Sequence, residues 1–191
     1  MNRQYSVKTY RAIDLALFAV ILFVFESVII RAANGPLFQD QAFTVSLAAA
    51  VTSIVFIRWG WWGGIHAALA GLIMCVMNGG SLIQLAIYMM GNLFSLAAVP
   101  FVMKTGPEKM VKSKVCYLLT GLGTLLLMQT GRAVISLILG SGLSDALRFF
   151  TTDSLSAVFT LVILWIAHRL DGICEDQLRY LKRVGRELDE E

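Results

Sequence analysis

The chain has 191 residues, of which 57% are hydrophobic and only 15% are charged, and its mean hydropathy is +0.71. A soluble domain of average composition carries about 25% charged residues. The composition therefore excludes an ordinary soluble domain and indicates an integral membrane protein. The formal net charge of +3 is small, and no nucleic-acid partner is needed to explain it.

Six windows of the sequence are long and apolar enough to cross a bilayer core of about 30 Å, which takes about 20 residues of helix. They cover residues 12–33, 42–57, 59–77, 81–103, 115–139 and 152–170. The sequence thus predicts an all-α, polytopic membrane protein with a bundle of six transmembrane helices. We expect residues 1–170 to form this domain and residues 171–191 to form a charged, helical cytoplasmic tail.

The lysine and arginine residues are distributed unevenly along this topology. If the N-terminus is cytoplasmic, thirteen of them face the cytoplasm, Arg31 and Arg148 face outward, and Arg132 lies inside a helix. Cytoplasmic loops of membrane proteins carry an excess of these residues. Both termini are therefore predicted to be cytoplasmic.

The turn between the second and third predicted helices reads RWGWWGG. Its tryptophans suit the headgroup layer, and its glycines allow the chain to reverse. The third helix then carries Gly63, Ala67 and Gly71 at four-residue spacing. Small residues at this spacing let helices approach closely in lipid, so we predict tight packing here.

The fourth predicted helix has a polar stripe. Gln84, Tyr88 and Asn92 lie four residues apart, which places them on one face. Pro100 follows near the cytoplasmic end, where a kink is expected. The next segment, KTGPEKMVKSK, is interpreted as a solvated cytoplasmic loop.

The fifth predicted helix contains the stretch LLLMQTGRAVISL, in which Gln129, Arg132 and Ser136 share a face. An outer loop, GSGLSDALRFFTTD, is predicted to connect it to the sixth helix. Asp153 opens that helix, either as an N-cap that satisfies free amide groups or as a polar group of a pocket.

Depth along the helices brings the polar residues together. Arg132 lies about 27 Å along its helix from Lys114, and Glu26 lies about 22 Å along its helix from Arg11, so both fall in the outer half. The inner halves show few groups that could coordinate a solute. The sequence therefore predicts an outward-facing polar cup with a packed floor, formed by Glu26, Arg31, Asn34, Asn78, Gln84, Tyr88, Asn92, Gln129, Arg132 and Asp153.

Two roles are open for the charges in this cup. Charged side chains inside a membrane are costly, and they usually have a partner or mark a functional site. Glu26 and Arg132 have opposite signs and similar depths, so they can form an ion pair between the first and fifth helices. Arg132 can also contact an anionic group of a ligand through its planar fork of donors.

Motifs for metal, disulfide or enzyme chemistry are missing from the sequence. Cys75, Cys116 and Cys174 form no CxxC pair, and His66 and His168 do not complete a metal-binding pattern. The chain contains no HExxH, no GxSxG and no GxxxxGK[ST] motif. We therefore expect neither a cofactor nor an enzymatic activity.

The layout resembles the substrate-binding S components of energy-coupling factor (ECF) transporters, which have six helices with both ends in the cytoplasm. The family carries an AxxxA pattern on its first helix, and Ala12 and Ala16 match it here. The resemblance implies a multi-pass protein of a prokaryotic plasma membrane that captures a small polar metabolite or vitamin near the outer face. It also implies that Ala12 and Ala16 dock on a transmembrane T subunit, which works with two ATPase subunits.

A membrane scaffold is the competing interpretation. The rod-shape protein MreD is similar in size and helix number, and such a protein would use its helices for protein contacts without a small-molecule ligand. It accounts for the packing motifs. It gives no reason for polar residues to converge on one side.

Overall fold

The computed structural model describes residues 6–35, 44–170, 172–173 and 175–181, and every regular element among them is helical. Helices α1 to α9 cover Val7–Ala33, Ala48–Trp59, Gly63–Met77, Leu82–Leu93, Val99–Thr105, Pro107–Lys112, Lys114–Ile138, Leu143–Thr152 and Ser154–Ala167. Short 3₁₀ turns cover Gly60–Trp62 and Phe94–Ala98. The predicted all-α fold is confirmed.

Five helical segments are long and apolar enough to cross a membrane. They are Val7–Ala33, Ala48–Met77, Leu82–Thr105, Lys114–Ile138 and Leu143–Ala167. The second of them contains two of the predicted helices, which explains why five segments stand against six predicted windows. The number of crossings and the orientation of the termini stay predictions.

The segment Ala48–Met77 is a hairpin of α2 and α3. Gly60 has a φ of +58°, a backbone conformation that favours glycine. A Cβ on Gly63 would lie 3.2 Å from the backbone nitrogen of Phe56, seven residues earlier. A straight helix would separate them by about 10 Å, so the chain reverses here as the RWGWWGG turn predicted.

The hairpin defines the two ends of the bundle. The start of α2 contacts α1 at Glu26, near the C-terminal end of α1, and the end of α2 contacts α1 at Asp14. We call these two ends the Asn34 end and the Arg58 end, after the residue that follows α1 and the residue near the end of α2. The α3 helix returns to the Asn34 end. There Asn78 accepts a hydrogen bond from the Asn34 side chain and donates one to the Met74 carbonyl of α3.

Small residues bring the helices close together, as predicted for α3. A Cβ on Gly71 would lie 2.6 Å from the backbone of Tyr88 in α4. Ala67 is fully buried. Two further glycines lie where α4 and α7 cross equally closely. A Cβ on Gly91 would lie 2.6 Å from the backbone nitrogen of Arg132, and a Cβ on Gly131 would overlap the Gly91 carbonyl.

Two segments predicted as loops are helical. The stretch GSGLSDALRFFTTD contains α8, whose Ala146 is buried and whose Phe149 makes an edge-to-face contact with Tyr88. The stretch KTGPEKMVKSK contains α6, whose Met110 is fully buried beside Tyr117. Both loop predictions are wrong because apolar side chains of these segments pack onto the bundle and order the backbone around them.

The fourth predicted helix is interrupted earlier than its proline suggests. It runs as α4 to Leu93, changes to a 3₁₀ turn, and resumes as α5 with Pro100 in its first turn. Pro100 has no N–H to donate to the preceding turn, and Ser95 donates its hydroxyl to the Asn92 carbonyl at 2.6 Å. The break follows Asn92 directly, which fixes that residue at the end of α4.

The described part of the predicted tail lies against the Arg58 end. Gln177 is 2% exposed and accepts a hydrogen bond from the Tyr10 hydroxyl at 3.1 Å. Residues 177–181 are helical. Residues 171, 174 and 182–191 of the predicted tail lie outside the described residues.

Candidate functional site

Arg132 lies at the centre of a buried polar network. Its Nε donates to Asn92 Oδ1 at 2.8 Å, and its Nη1 donates to Asp153 Oδ2 at 2.8 Å. The Tyr88 ring stacks on the guanidinium, with its centroid 5.1 Å from Cζ. Only 4% of Arg132 is exposed, so the charge depends on these partners rather than on solvent.

The close crossing of α4 and α7 positions Arg132. Gly91 in α4 faces the backbone of Arg132, and Gly131 in α7 faces Gly91 in turn. Since neither glycine carries a side chain, the two helices approach closely at this level. As a result Asn92, the neighbour of Gly91, lies within hydrogen-bonding reach of Arg132.

Asn92 is itself fixed in orientation. It is fully buried, and its Nδ2 donates to the Ala67 carbonyl of α3 at 3.0 Å. An amide that donates on one side presents its oxygen on the other. The carbonyl oxygen of Asn92 therefore points to Arg132, and both Asn92 and Tyr88 of the polar stripe predicted on α4 contact Arg132.

Asp153 lies at the junction of α8 and α9 and is 3% exposed. One oxygen accepts from Arg132, and the other accepts a short hydrogen bond from the Thr44 hydroxyl. It occupies the N-cap position of α9, but its side chain makes no capping hydrogen bond. The predicted N-cap role is therefore wrong, the carboxylate belongs to the polar network instead, and its role in a pocket stays a prediction.

Glu26 is fully buried, and its partners differ from the predicted one. Its two oxygens accept from the Ser46 hydroxyl at 2.6 Å and from the Leu47 backbone N–H at 2.7 Å. These donors lie at the start of α2, where unpaired amides and the helix dipole favour an anion. The predicted ion pair between Glu26 and Arg132 is absent, because each charge has a nearer partner on another element.

Residues 44–47 connect Glu26 to Asp153. Thr44 N–H donates to the Thr152 carbonyl at 2.9 Å, and Ser46 N–H donates to Ser156 Oγ at 3.0 Å. The Ser156 hydroxyl donates to the Thr44 carbonyl at 3.2 Å. We name the connected set the Arg132 network: Glu26, Thr44, Ser46, Asn92, Arg132, Asp153 and Ser156.

Thr44 and Ser46 were missed by the sequence reasoning. They lie just before α2, and serine and threonine are favoured at such helix starts. That signal predicts the local bond from the Ala48 N–H to Ser46 Oγ at 3.1 Å, but it does not predict the bonds to α1 and to the α8–α9 junction. Ser156, one turn after Asp153 on α9, completes the contact with this segment.

The structure separates four other predicted site residues from the network. Gln84 is exposed, and its side chain accepts from the Ser81 N–H at 2.8 Å in a capping box. Asn34 and Asn78 form an exposed hydrogen bond of 2.9 Å with each other, and Arg31 is exposed. None of these side chains shares a hydrogen bond with the Arg132 network within the described ranges.

Gln129 lies one turn from Arg132 on α7 and is 4% exposed. The part of the chain that the structure describes gives its amide no hydrogen-bond partner. It therefore adds an unused polar group to the buried face that carries Arg132.

A second buried ion pair lies at the Arg58 end, in the half where the sequence showed few groups that could coordinate a solute. Arg58 contacts both oxygens of Asp14, at 2.9 Å from Nε and 2.6 Å from Nη2. The Trp59 indole donates to the same carboxylate at 2.6 Å, and Arg58 Nη1 donates to the carbonyls of Gly172 and Ile173. The sequence reasoning missed this pair because it assigned Arg58 to a cytoplasmic turn.

The network leaves part of the Arg132 guanidinium unused. Nε and Nη1 have partners, but Nη2 has none among the described residues. A guanidinium binds carboxylate or phosphate oxygens through such a planar edge. The stacked Tyr88 ring, which itself contacts Phe149, adds an aromatic surface beside it.

Comparison with known proteins adds no identification: no family model, no curated protein and no solved structure matches this chain. The function must therefore be argued from the residues and their geometry.

Proposed function

We propose that the chain is the membrane-embedded substrate-binding subunit of an ECF-type importer, which captures a small polar metabolite or vitamin. The observation that carries the proposal is the unused Nη2 edge of buried Arg132. Nη2 has no hydrogen-bond partner among the described residues, yet it is not one of the fully buried atoms left without a partner, so this edge is accessible. An unused edge next to an aromatic ring suits a ligand that has an anionic group and a planar part.

The network supports the geometry of such a site. Asp153 and Asn92 hold the guanidinium in one orientation, so little side-chain entropy is lost when a ligand binds. Tyr88 lies on the face of the guanidinium, and Phe149 lies against the edge of Tyr88. A carboxylate or phosphate at Nη2 would place the remainder of the ligand near these rings.

The proposed orientation puts the Asn34 end outside the cell. Of the lysines and arginines that the structure describes, Arg31 and Arg148 lie at the Asn34 end, whereas Lys8, Arg11 and Arg58 are among those at the other end. The positive-inside rule then makes the Arg58 end cytoplasmic. In this orientation the Arg132 network faces the side from which an importer takes its substrate.

Energy and release would require partner proteins, because the sequence has no phosphate-binding loop for ATP. The first helix offers a surface for them: Ala12 and Ala16 are both exposed, one turn apart on α1. Small residues permit a close approach by another helix in lipid. We assign this face to a T subunit that carries two ATPases.

A ligand screen tests the proposal. Protein in mild detergent is heated with each of a panel of water-soluble vitamins and carboxylate-bearing metabolites, and the midpoint of unfolding is recorded. We expect one compound to raise the midpoint, with a saturable dose dependence. Tyr88→Leu should weaken this effect without unfolding the protein, because Tyr88 is only partly buried.

A matched variant separates ligand contact from folding. Arg132→Lys keeps the charge that Asp153 needs but removes the planar fork, so the protein should fold while ligand affinity falls at least tenfold. Tyr180→Leu, at a position far from the network, serves as the control for Tyr88→Leu. If no compound in the panel stabilises the wild type, or if Arg132→Lys and Tyr88→Leu bind a stabilising compound normally, the proposal is wrong.

The scaffold alternative is favoured by one observation. Arg132 already has a carboxylate partner in Asp153, at 2.8 Å, so the pair can serve stability alone. A scaffold would show no stabilisation by any small molecule. It would instead co-purify with other membrane proteins in a manner that Arg132→Lys leaves unchanged.

A further inference from the structure

The Arg58 end carries a cationic site that neither the Arg132 network nor the proposed docking face explains. Arg11, in the second turn of α1, stacks on the ring of Trp62 with Cζ 4.3 Å from the ring centroid. Trp62 belongs to the turn between α2 and α3, so the stack joins two separate elements. Lys8, three residues before Arg11 on the same face of α1, is exposed.

These two cations lack anionic partners within the described residues. The nearest candidate in sequence is Asp14, one turn after Arg11, but Arg58 and Trp59 occupy both of its oxygens. Neither Arg11 nor Lys8 takes part in an ion pair or a side-chain hydrogen bond in the part of the chain that the structure covers. Stacking on a ring face leaves the edge of the Arg11 guanidinium free to bind an anion.

The position of the stack matches the headgroup layer of a bilayer. The α1 helix has 27 residues, which is about 40 Å of helix for a hydrocarbon core of about 30 Å. About 5 Å at each end then reaches the headgroups, and Arg11 lies about 6 Å from the start of the helix. Trp61 and Trp62, which are 55% and 44% exposed, are the residue type that concentrates at this depth.

An apolar surface adjoins the cations. Ile65, one turn along α3 from Trp62, is 53% exposed, and Trp61 is exposed beside it. An anion that is also attached to hydrocarbon could place its charge at Arg11 and Lys8 and its chains against these side chains. A free phosphate would use only the cations.

We propose that Arg11, Lys8 and Trp62 form a binding site for the phosphate of an anionic glycerophospholipid, with an acyl chain lying along Ile65. A zwitterionic headgroup fits less well, because its ammonium group would be repelled by the two cations. The site is independent of the proposed transport function, since it requires only that α1 and α3 lie in a membrane.

The experiment compares two lipids with identical acyl chains. Delipidated full-length protein in mild detergent receives either phosphatidylglycerol or phosphatidylcholine, and the unfolding midpoint is measured. We expect phosphatidylglycerol to raise the midpoint further, and Arg11→Gln to abolish the difference. Lys8→Gln should reduce it, and Arg11→Lys, which keeps the charge without the planar stack, should retain part of it.

The chain offers a matched control. Arg169 stacks on Trp165 at the same 4.3 Å, but Trp165 lies in α9 and Arg169 in the turn directly after it, and no lysine lies beside them in sequence. Arg169→Gln should therefore leave the lipid difference intact. Equal stabilisation by both lipids, or an unchanged difference in Arg11→Gln, would overturn the proposal.

Two further measurements separate a lipid site from a simple anion site and cover a variant that does not fold. Inorganic phosphate at the same concentration should give no shift, and an equal shift with phosphate would show a simple anion site instead of a lipid site. If Arg11→Gln fails to fold, native mass spectrometry of the wild type and Arg11→Lys decides the matter. We expect at least one phosphatidylglycerol retained by the wild type and a lower occupancy in the variant; identical occupancy refutes the site.

Discussion

Asp153→Asn removes one charge of the buried pair and tests the central contact of the Arg132 network. Asparagine has nearly the same shape, so packing is preserved while the countercharge of Arg132 is lost. Only 5% of the Arg132 side chain and 5% of the Asp153 side chain are exposed to solvent. Solvent therefore cannot replace the missing partner.

The expected loss follows from this burial. Breaking a buried ion pair by removing one partner costs about 3–5 kcal/mol, because the other charge is left uncompensated. For a chain of this length each kcal/mol lowers the unfolding midpoint by about 2–4 °C. We expect Asp153→Asn to lower the midpoint by roughly 6–20 °C. Asp145→Asn, which breaks an exposed pair with Arg148 that is 3.9 Å long, serves as the control and should have little effect.

A double-mutant cycle assigns the partner of Arg132. The single variants Asp153→Asn, Glu26→Gln and Arg132→Gln are compared with the two double variants that contain Arg132→Gln, using detergent-solubilised protein. The Arg132–Asp153 pair should show a coupling free energy of at least about 1 kcal/mol, larger than that of Arg132 with Glu26. Additive effects for Arg132 and Asp153, or a larger coupling to Glu26, would refute the contact described above.

Three further predictions use other parts of the structure. Asp14→Asn leaves Arg58 without its countercharge and should lower the unfolding midpoint about as much as Asp153→Asn. It should leave ligand affinity unchanged, because Asp14 lies at the opposite end of the bundle. A loss of affinity would contradict the separation of the two sites. Gly91→Ala places a methyl group against the backbone of α7 and should cost about 1–3 kcal/mol, whereas Gly123→Ala, which meets nothing within 4 Å, should be neutral or stabilising in calorimetry or thermal melts. Ala16→Leu should reduce co-purification with an ATPase-containing complex but not ligand affinity, and an equal loss in a control such as Val158→Leu on α9 would argue against a dedicated docking face.

The sequence was sufficient to predict the long helices and to predict that some of their polar residues lie together. Apolar length is a local property, so the windows around α1 and α7 correspond closely to helices in the structure. Depth also depends only on residue count along a helix. It assigned Asn92 and Arg132 to one polar cluster, and the structure joins them by a hydrogen bond although they lie on different helices.

Prediction from the sequence was wrong where a residue can form either a local contact or a tertiary contact of similar strength. Gln84 shares a face with Tyr88, but it lies three residues after Ser81 and completes a capping box instead. The stretch around Phe149 has turn-forming residues at its start and was read as a loop. Its packing on Tyr88 and α7 favours a helix.

The choice of ion-pair partners was decided only by the tertiary structure. From the sequence alone, Arg132 was expected to pair with Glu26 or to contact a ligand, and Asp14 had no evident partner at all. The sequence gives the depth of each charge along its own helix, but the rotation of each helix and its neighbours determine which charges meet. Chain reversal at Gly60 brings Arg58 to Asp14, and the close crossing at Gly91 and Gly131 sets Arg132 beside Asn92. The composition thus determined that this is an all-helical protein with apolar spans, whereas the lateral packing of those helices decided which buried charges neutralise one another.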